Sequence, residues 1–136
     1  MRTTTFLKQT WATALIRVCL ALALVGVCIT DARASECHIL QKGIASVYAW
    51  KFQGRKTASG ALLDMNKNTA AHRTLPHGAK IKVTDRRTGR STYVTINDRG
   101  PFVKGRILDV THAASHALGW GDTGLHRVTI SLCEEN

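Results

Sequence analysis

The sequence predicts a small, mainly β domain that closes into a barrel, with one or two short helices. Apolar and polar residues alternate over 80–84 and 91–97, and the polar connection between these runs carries a late glycine, as β-hairpins do. Residues 126–132 alternate in the same way, with Val128, Ile130 and Leu132 on one face. Many short strands accompanied by few helices are typical of closed β architectures.

The other elements follow from local signals. Residues 43–50 predict an opening strand, and residues 106–110 form a further apolar strand. An alanine-rich helix follows, which Thr111 is expected to cap and Gly119 to end. A second short helix or turn is expected within residues 58–68.

The first 34 residues predict a cleaved signal peptide. A basic start, an apolar run over 18–29 and the small-x-small sequence at 32–34 are the three parts of such a leader. The apolar run is shorter than the ~20 residues that span a bilayer. We therefore expect cleavage after Ala34, no stable membrane anchor, and one domain over residues 35–136 in the periplasm or outside the cell.

Two cysteines, Cys37 and Cys133, remain after cleavage and lie close to the ends of the mature chain. Two lone cysteines in an oxidising compartment are expected to pair. A bridge over so long a loop stabilises the fold by about 4–5 kcal/mol in the chain-entropy model. The alternative is a pair of free, buried thiols.

The chain is strongly basic, with a formal net charge of +10. Loss of four basic residues and Asp31 with the leader would leave a net charge of +7. A cationic exported protein suits an acidic polymer such as a cell wall. Nucleic acid is not expected as a partner, because of export and because the basic residues are scattered along the chain.

One histidine pair has a spacing that zinc can use. His112 and His116 are four residues apart on the predicted helix, but no third ligand follows at a recognisable distance in the sequence. We therefore expect neither a metal nor any other cofactor.

Three segments of the chain, in order and at matching spacing, resemble the RlpA-like family. They are TASG at 57–60 with DM at 64–65 and TAAHRTLP at 69–76, then VTINDRGPF at 94–102, then RILDV at 106–110 with its alanine-rich helix. The resemblance covers about residues 43–132. It implies a six-stranded double-psi β-barrel and a lytic transglycosylase, which cleaves peptidoglycan glycan strands without water and leaves an anhydro-sugar end.

The resemblance also implies the catalytic residues. Asp98, the aspartate of the N-D-R-G-P motif, is expected in the barrel groove. One carboxyl group could protonate the departing oxygen and then accept the proton of the attacking sugar hydroxyl. His72 is expected to line the same groove and to orient the glycan or tune Asp98. The alternatives are that Asp98 only braces a tight turn and that His72 is bonded to backbone.

A wider set of residues is expected to bind the glycan through hydroxyl, amide or charged groups. Trp50 and Trp120 are candidate stacking platforms, whereas Asp109 is interpreted as structural, bonding backbone near the start of the helix. The predicted substrate-binding residues are Tyr48, Thr57, Ser59, Asp64, Asn97 and Arg99.

The sequence departs from the family pattern in the motifs near the groove. Ala61 stands where the family has a glutamate, and Val47 and Ala49 stand where the family has tryptophan and glycine. Two hypotheses follow: a lytic transglycosylase that uses Asp98 with help from His72, or a non-catalytic, expansin-like barrel that binds the polysaccharide. Either would act as a monomer on peptidoglycan glycan strands.

Overall fold

A computed structural model describes residues 36–134, which form a closed six-stranded barrel. Strand neighbours around the barrel follow the order β1-β5-β2-β4-β3-β6. One α-helix and one turn of 3₁₀-helix at Trp50–Phe52 complete the described elements. The strands are β1 (Cys37–Val47), β2 (Thr69–Ala71), β3 (Lys80–Asp85), β4 (Ser91–Asp98), β5 (Arg106–Val110) and β6 (Leu125–Cys133), and the helix is α1 (His112–Leu118).

Two of the six strand pairs are parallel, β1 with β5 and β2 with β4, and the other four are antiparallel. Each parallel pair joins strands that are distant in sequence, so each requires a crossover connection. The mainly β barrel with one short helix confirms the predicted fold class. The predicted hairpin is also confirmed, as β3 and β4.

The core lies inside the barrel and is built from the alternating apolar residues. Leu132 was predicted to share the inner face of β6, but it is 44% exposed and its neighbour Ser131 is buried instead. The pairing of β1 with β6 shifts register between Ile39 and Gln41, which places the break in alternation at this end of the strands. The inward-facing residues of the hairpin and β6 are Ile81, Val83, Val94, Ile96, Val128 and Ile130.

The first strand differs from its prediction. It begins at Cys37 rather than Gly43, because its first half pairs with β6, and it ends at Val47. Residues 58–68 contain turns and no helix. The short strand β2 was not predicted, since three residues are too few to show a period.

Helix α1 has its predicted bounds but a different N-terminal contact. Thr111 occupies the N-cap position without capping, because its hydroxyl donates to the Lys67 carbonyl at 2.6 Å. Gly119 ends the helix with φ of 75°, a left-handed conformation that glycine adopts readily.

Cys37 and Cys133 form the predicted disulfide, which joins the start of β1 to the end of β6. The predicted signal peptide lies outside the described residues. Within residues 36–134, helix α1 is too short to cross a membrane.

Candidate active site

A cleft of about 600 Å³ opens between the segment that follows β1 and the turn that follows β4. Its wall contains two carboxylates, several cations and the exposed ring of Phe102, which is 80% exposed. The lining residues are Ser46, Val47, Tyr48, Ala49, Lys51, Phe52, Arg55, Lys56, Thr57, Leu63, Asp98, Arg99, Gly100, Pro101, Phe102, Val103, Arg106 and Asp109.

Asp98 lies at the end of β4 and its carboxylate accepts three hydrogen bonds. The Tyr48 hydroxyl donates to Oδ2 at 2.8 Å, while the backbone N–H groups of Ala58 and Arg99 donate to Oδ1 at 2.9 and 2.8 Å. The chain then turns at Gly100, whose φ of 123° is accessible to glycine and strained for other residues. The three donors hold the carboxylate in one orientation at the cleft, and a catalytic role for Asp98 stays a prediction.

Tyr48 links the two sides of the cleft. Burial, the hydrogen bond to Asp98 and the charges of Asp98 and Asp109 all raise the pKa of the Tyr48 hydroxyl. The hydroxyl therefore remains protonated and serves Asp98 as a donor. Tyr48 lines the cleft, and its contact with substrate stays a prediction.

Asp109 corrects the sequence-based interpretation. It was expected to bond backbone near the helix, yet it lines the cleft, where the Ser46 hydroxyl donates to Oδ1. Burial raises the pKa of Asp109, and the charge of Asp98 adds to this effect, although Ser46 and Arg106 oppose it. The parallel pairing of β1 with β5 sets Ser46 beside Asp109. In the sequence, the one feature that pointed to a functional role for Asp109 was its position as a carboxylate inside the apolar strand 106–110.

The rest of the lining is rich in cations. Lys51 and Arg55 lie over the ring of Phe52, at 5.3 and 5.2 Å from its centroid. These contacts place positive charge beside an apolar surface, a combination that suits a polymer with both sugar faces and acidic groups. The basic lining residues are Lys51, Arg55, Lys56, Arg99 and Arg106.

His72 is buried, and its ring is not among the groups that line the Asp98 cleft. Nδ1 accepts from the backbone N–H groups of Thr74 and Leu75 at 3.2 and 3.1 Å, and Nε2 lies 3.0 Å from Gln41 Oε1. Burial, together with the nearby arginines, lowers the pKa of His72. Its backbone N–H donates to the Asp98 carbonyl at 3.2 Å. The two residues are neighbours through backbone, and a catalytic role for the ring stays a prediction.

The other predicted substrate-binding residues divide between the cleft and its surroundings. Thr57 lines the cleft, and its hydroxyl lies 2.9 Å from that of Ser59. Arg99 lines it too, but its guanidinium donates to the Leu75 carbonyl at 2.8 Å. Ser59, Asp64 and Asn97 are not among the lining residues.

Two of these outlying residues have other contacts. Asp64 accepts from the backbone N–H of Asn66 at 3.0 Å and faces Lys67 at 3.8 Å. Asn97 buries its Oδ1 without a hydrogen-bond partner among the described residues, and its backbone carbonyl accepts from Ser59 at 3.1 Å. Their roles in glycan binding stay predictions.

Neither Trp50 nor Trp120 lines the cleft. Trp50 is half exposed and packs on the ring of His112 at 4.6 Å between centroids. Trp120 stacks on His126 at 4.1 Å and donates from its indole N–H to Asp85. Trp120 is thus part of the packing around the β3–β4 turn.

The architecture defines a class of protein before any closer relative is considered. The solved structure of the Streptomyces papain inhibitor superposes with a TM-score of 0.52 at 22% sequence identity, over 69% of this chain and 96% of that protein. This likeness concerns the fold alone. The closed, mixed six-stranded sheet and the family match described next identify a double-psi β-barrel.

The chain belongs to the RlpA-like family. A family model described as lytic transglycolase matches residues 40–130. The protein named "Endolytic peptidoglycan transglycosylase RlpA" of Pasteurella multocida is 50% identical over 92 residues, 68% of this chain and 31% of that protein. Its counterpart in Neisseria meningitidis serogroup A is 48% identical over 90 residues, 66% of this chain and 38% of that protein.

A further relative, "Probable endolytic peptidoglycan transglycosylase RlpA" of Synechocystis sp., is 45% identical over 95 residues, 70% of this chain and 30% of that protein. The chain therefore spans about a third of the length of these relatives. Residues 40–130, which the family model matches, contain every residue that lines the cleft.

Proposed function

We propose that this protein is an exported lytic transglycosylase that cleaves peptidoglycan glycan strands in the Asp98 cleft. The observation that carries the proposal is that two carboxylates in different environments, Asp98 and Asp109, line one cleft. Such a difference in environment is how enzymes divide the roles of acid and base between two carboxyl groups. The names of the relatives support the same substrate and reaction.

Asp109 is the proposed general acid. Burial raises its pKa, which favours the protonated form that can donate to the departing glycosidic oxygen. As the bond between the anomeric carbon and that oxygen breaks, the Asp109 proton moves to the oxygen and leaves a carboxylate. The Ser46 hydroxyl and Arg106 then stabilise the resulting negative charge.

Asp98 is the proposed general base. Its carboxylate, oriented by Tyr48 and two backbone N–H groups, accepts the proton of the sugar's own hydroxyl as that oxygen attacks the anomeric carbon. The new bond within the sugar replaces the broken one, so water is not consumed. One proton has passed from Asp109 to the departing oxygen and one from the substrate to Asp98, and exchange with solvent restores both groups.

In this proposal, His72 holds Asp98 in place and does not take part in proton transfer. Its backbone donates to the Asp98 carbonyl and its carbonyl accepts from Arg99 at 3.3 Å, so it braces the strand end that carries Asp98. It is therefore a positioning residue, and its ring holds the loop that contains Thr74 and Leu75.

Export of the protein belongs to the same proposal. The Cys37–Cys133 disulfide is of the kind that forms in oxidising compartments, where peptidoglycan also lies. Cleavage after Ala34 would leave Cys37 near the new N-terminus, and N-terminal sequencing of the protein from the cell envelope tests this. A mature protein that begins at another residue would contradict the proposed site.

The activity is tested with purified, oxidised protein and peptide-free glycan strands, with products identified by mass spectrometry. We expect anhydro-ended fragments, and a loss of rate of about a hundredfold or more in both Asp98→Asn and Asp109→Asn. The matched control is Glu134→Gln, which removes one exposed carboxylate at the chain end and should retain the rate. Reducing ends instead of anhydro ends would contradict the mechanism.

The alternative hypothesis, glycan binding without cleavage, is not favoured by the relatives, which are named as transglycosylases. Ala61 supplies no carboxylate where the family has a glutamate, and it is not among the cleft-lining residues. The enzyme and the binding barrel differ in whether fragments are released from the glycan. Binding of the wild-type protein to sedimented cell walls without release of any fragment would establish the binding barrel and overturn the enzyme.

A further inference from the structure

Three side chains on and after helix α1 converge at a place separate from the carboxylates of the cleft. Nδ1 of His112 lies 2.9 Å from Oδ1 of Asp122, and Nε2 of His116 lies 2.6 Å from the same oxygen. The three potential ligand atoms lie within 4.8 Å of one another. The sequence offered no third ligand at a familiar spacing, whereas the bend after α1 brings Asp122 to the histidine pair.

The hydrogen bonds of His112 determine which of its nitrogens faces Asp122. Nε2 lies 2.7 Å from the backbone carbonyl of Tyr48, which can only accept, so Nε2 carries a proton. In the neutral ring Nδ1 then presents a lone pair to an acceptor oxygen of Asp122. Nδ1 is therefore the nitrogen of His112 that is available to bind an ion beside Asp122.

The same arrangement is the one that metal-binding histidines use. A ligating histidine generally donates its other ring N–H to a carbonyl or carboxylate, which orients the ring and sets its tautomer. His112 is only 4% exposed, so its ring is held in place, and the Tyr48 carbonyl occupies the expected outer position.

We propose that His112, His116 and Asp122 form a binding site for a divalent transition metal ion, with Zn²⁺ as the best match. Two imidazole nitrogens and one carboxylate oxygen are donors that zinc accepts, with a fourth position left for water. Around a tetrahedral ion with bonds of about 2.0 Å the donors are about 3.3 Å apart, so they must separate slightly. His116 and Asp122 have side chains that are 60% and 61% exposed, which allows that movement.

The site has a built-in reporter that does not depend on cleavage of glycan. The ring of Trp50 packs on His112 with 4.6 Å between centroids, so ion binding at His112 changes the surroundings of the indole. Tyr48 connects the site to the cleft, since its carbonyl bonds His112 and its hydroxyl bonds Asp98. Zinc binding at His112, His116 and Asp122 does not depend on cleavage of glycan in the cleft.

The test is calorimetric titration of ZnCl₂ into chelator-treated, tag-free protein, together with tryptophan fluorescence. We expect one equivalent to bind and the fluorescence to change at the same equivalence point. His116→Ala and Asp122→Asn should each weaken binding at least tenfold, and both substitute exposed side chains, so folding is preserved. The control His77→Ala removes an exposed histidine outside the site and should bind zinc as the wild type does.

Trp50→Phe locates the signal. It should bind one equivalent of zinc with the fluorescence change lost. The proposal is overturned if the protein takes up no zinc, or if His116→Ala and Asp122→Asn bind it as tightly as the wild type. It is also overturned if the fluorescence change survives in Trp50→Phe, because the ion would then lie elsewhere.

Discussion

His72 accepts two backbone hydrogen bonds at Nδ1, and a proton at that atom would break both. Burial, the first cause, and the charges of Arg99 and Arg73 lower the pKa of this histidine below its ordinary value of 6.5. The unfolded chain therefore binds a proton more readily than the folded protein does. The stability that neutral His72 contributes is present above pH 6.5 and is lost as pH falls through the folded pKa.

We expect the free energy of unfolding to fall between pH 8 and pH 5.5, with His72 contributing at most about 1.4 kcal/mol per pH unit. In His72→Asn the side-chain oxygen can accept a backbone bond without titrating, so the pH dependence should be weaker. Urea unfolding at each pH measures this, with the exposed His77→Asn as control. The same pH dependence in His72→Asn and wild type would contradict the assignment.

At the scale of elements, the β3–β4 hairpin is held by one buried carboxylate. Asp85 is 1% exposed and accepts from the backbone N–H groups of Arg87 and Thr88 at 2.6 and 3.2 Å and from the Trp120 indole. Burial raises the pKa of Asp85, but the Trp120 and backbone hydrogen bonds outweigh it, and the pKa is lowered from 3.8. The stability that ionised Asp85 contributes to the fold is present above pH 3.8, and it is lost as the pH falls through the pKa of Asp85 in the folded protein.

Asp85→Ala leaves three donors without their acceptor and should lower the free energy of unfolding by about 2–3 kcal/mol. Asp64→Ala is the matched control, because Asp64 accepts one backbone bond at an exposed turn, and its loss should be smaller. Urea unfolding at neutral pH compares the two variants. Equal losses would show that the hairpin does not depend on the Asp85 network.

At the scale of the whole molecule, the disulfide connects the first and last described strands. Cys37 and Cys133 are 96 residues apart in sequence, and β1 pairs with β6 along nearly its whole length. Replacing both cysteines by alanine should lower the free energy of unfolding by about 4–5 kcal/mol in the chain-entropy model. The folded barrel should persist, because the strand pairing between β1 and β6 does not require the bridge.

Urea unfolding of the Cys37→Ala/Cys133→Ala double variant measures this effect, with circular dichroism to confirm that the β structure remains. The wild type with its disulfide reduced should show a similar loss. Equal stability of the oxidised wild type and the double variant would mean that the bridge does not constrain the unfolded chain as expected.

The sequence by itself determined the β3–β4 hairpin, helix α1 and the identity of one catalytic candidate. Alternation over 91–97 depends on neighbours within a strand, so β4 was predictable, and the motif around Asp98 marked the strand end that faces the cleft. The disulfide was predictable because only two cysteines follow the predicted leader.

Only the tertiary structure decided which distant residues share a site. Ser46 and Asp109 are 63 residues apart and meet because β1 and β5 pair in parallel, which no local period encodes. His72 was expected beside Asp98, yet its ring turns to Gln41 while its backbone adjoins Asp98. Strand order and side-chain direction arise from packing across the whole barrel, and local sequence patterns carry little of that information.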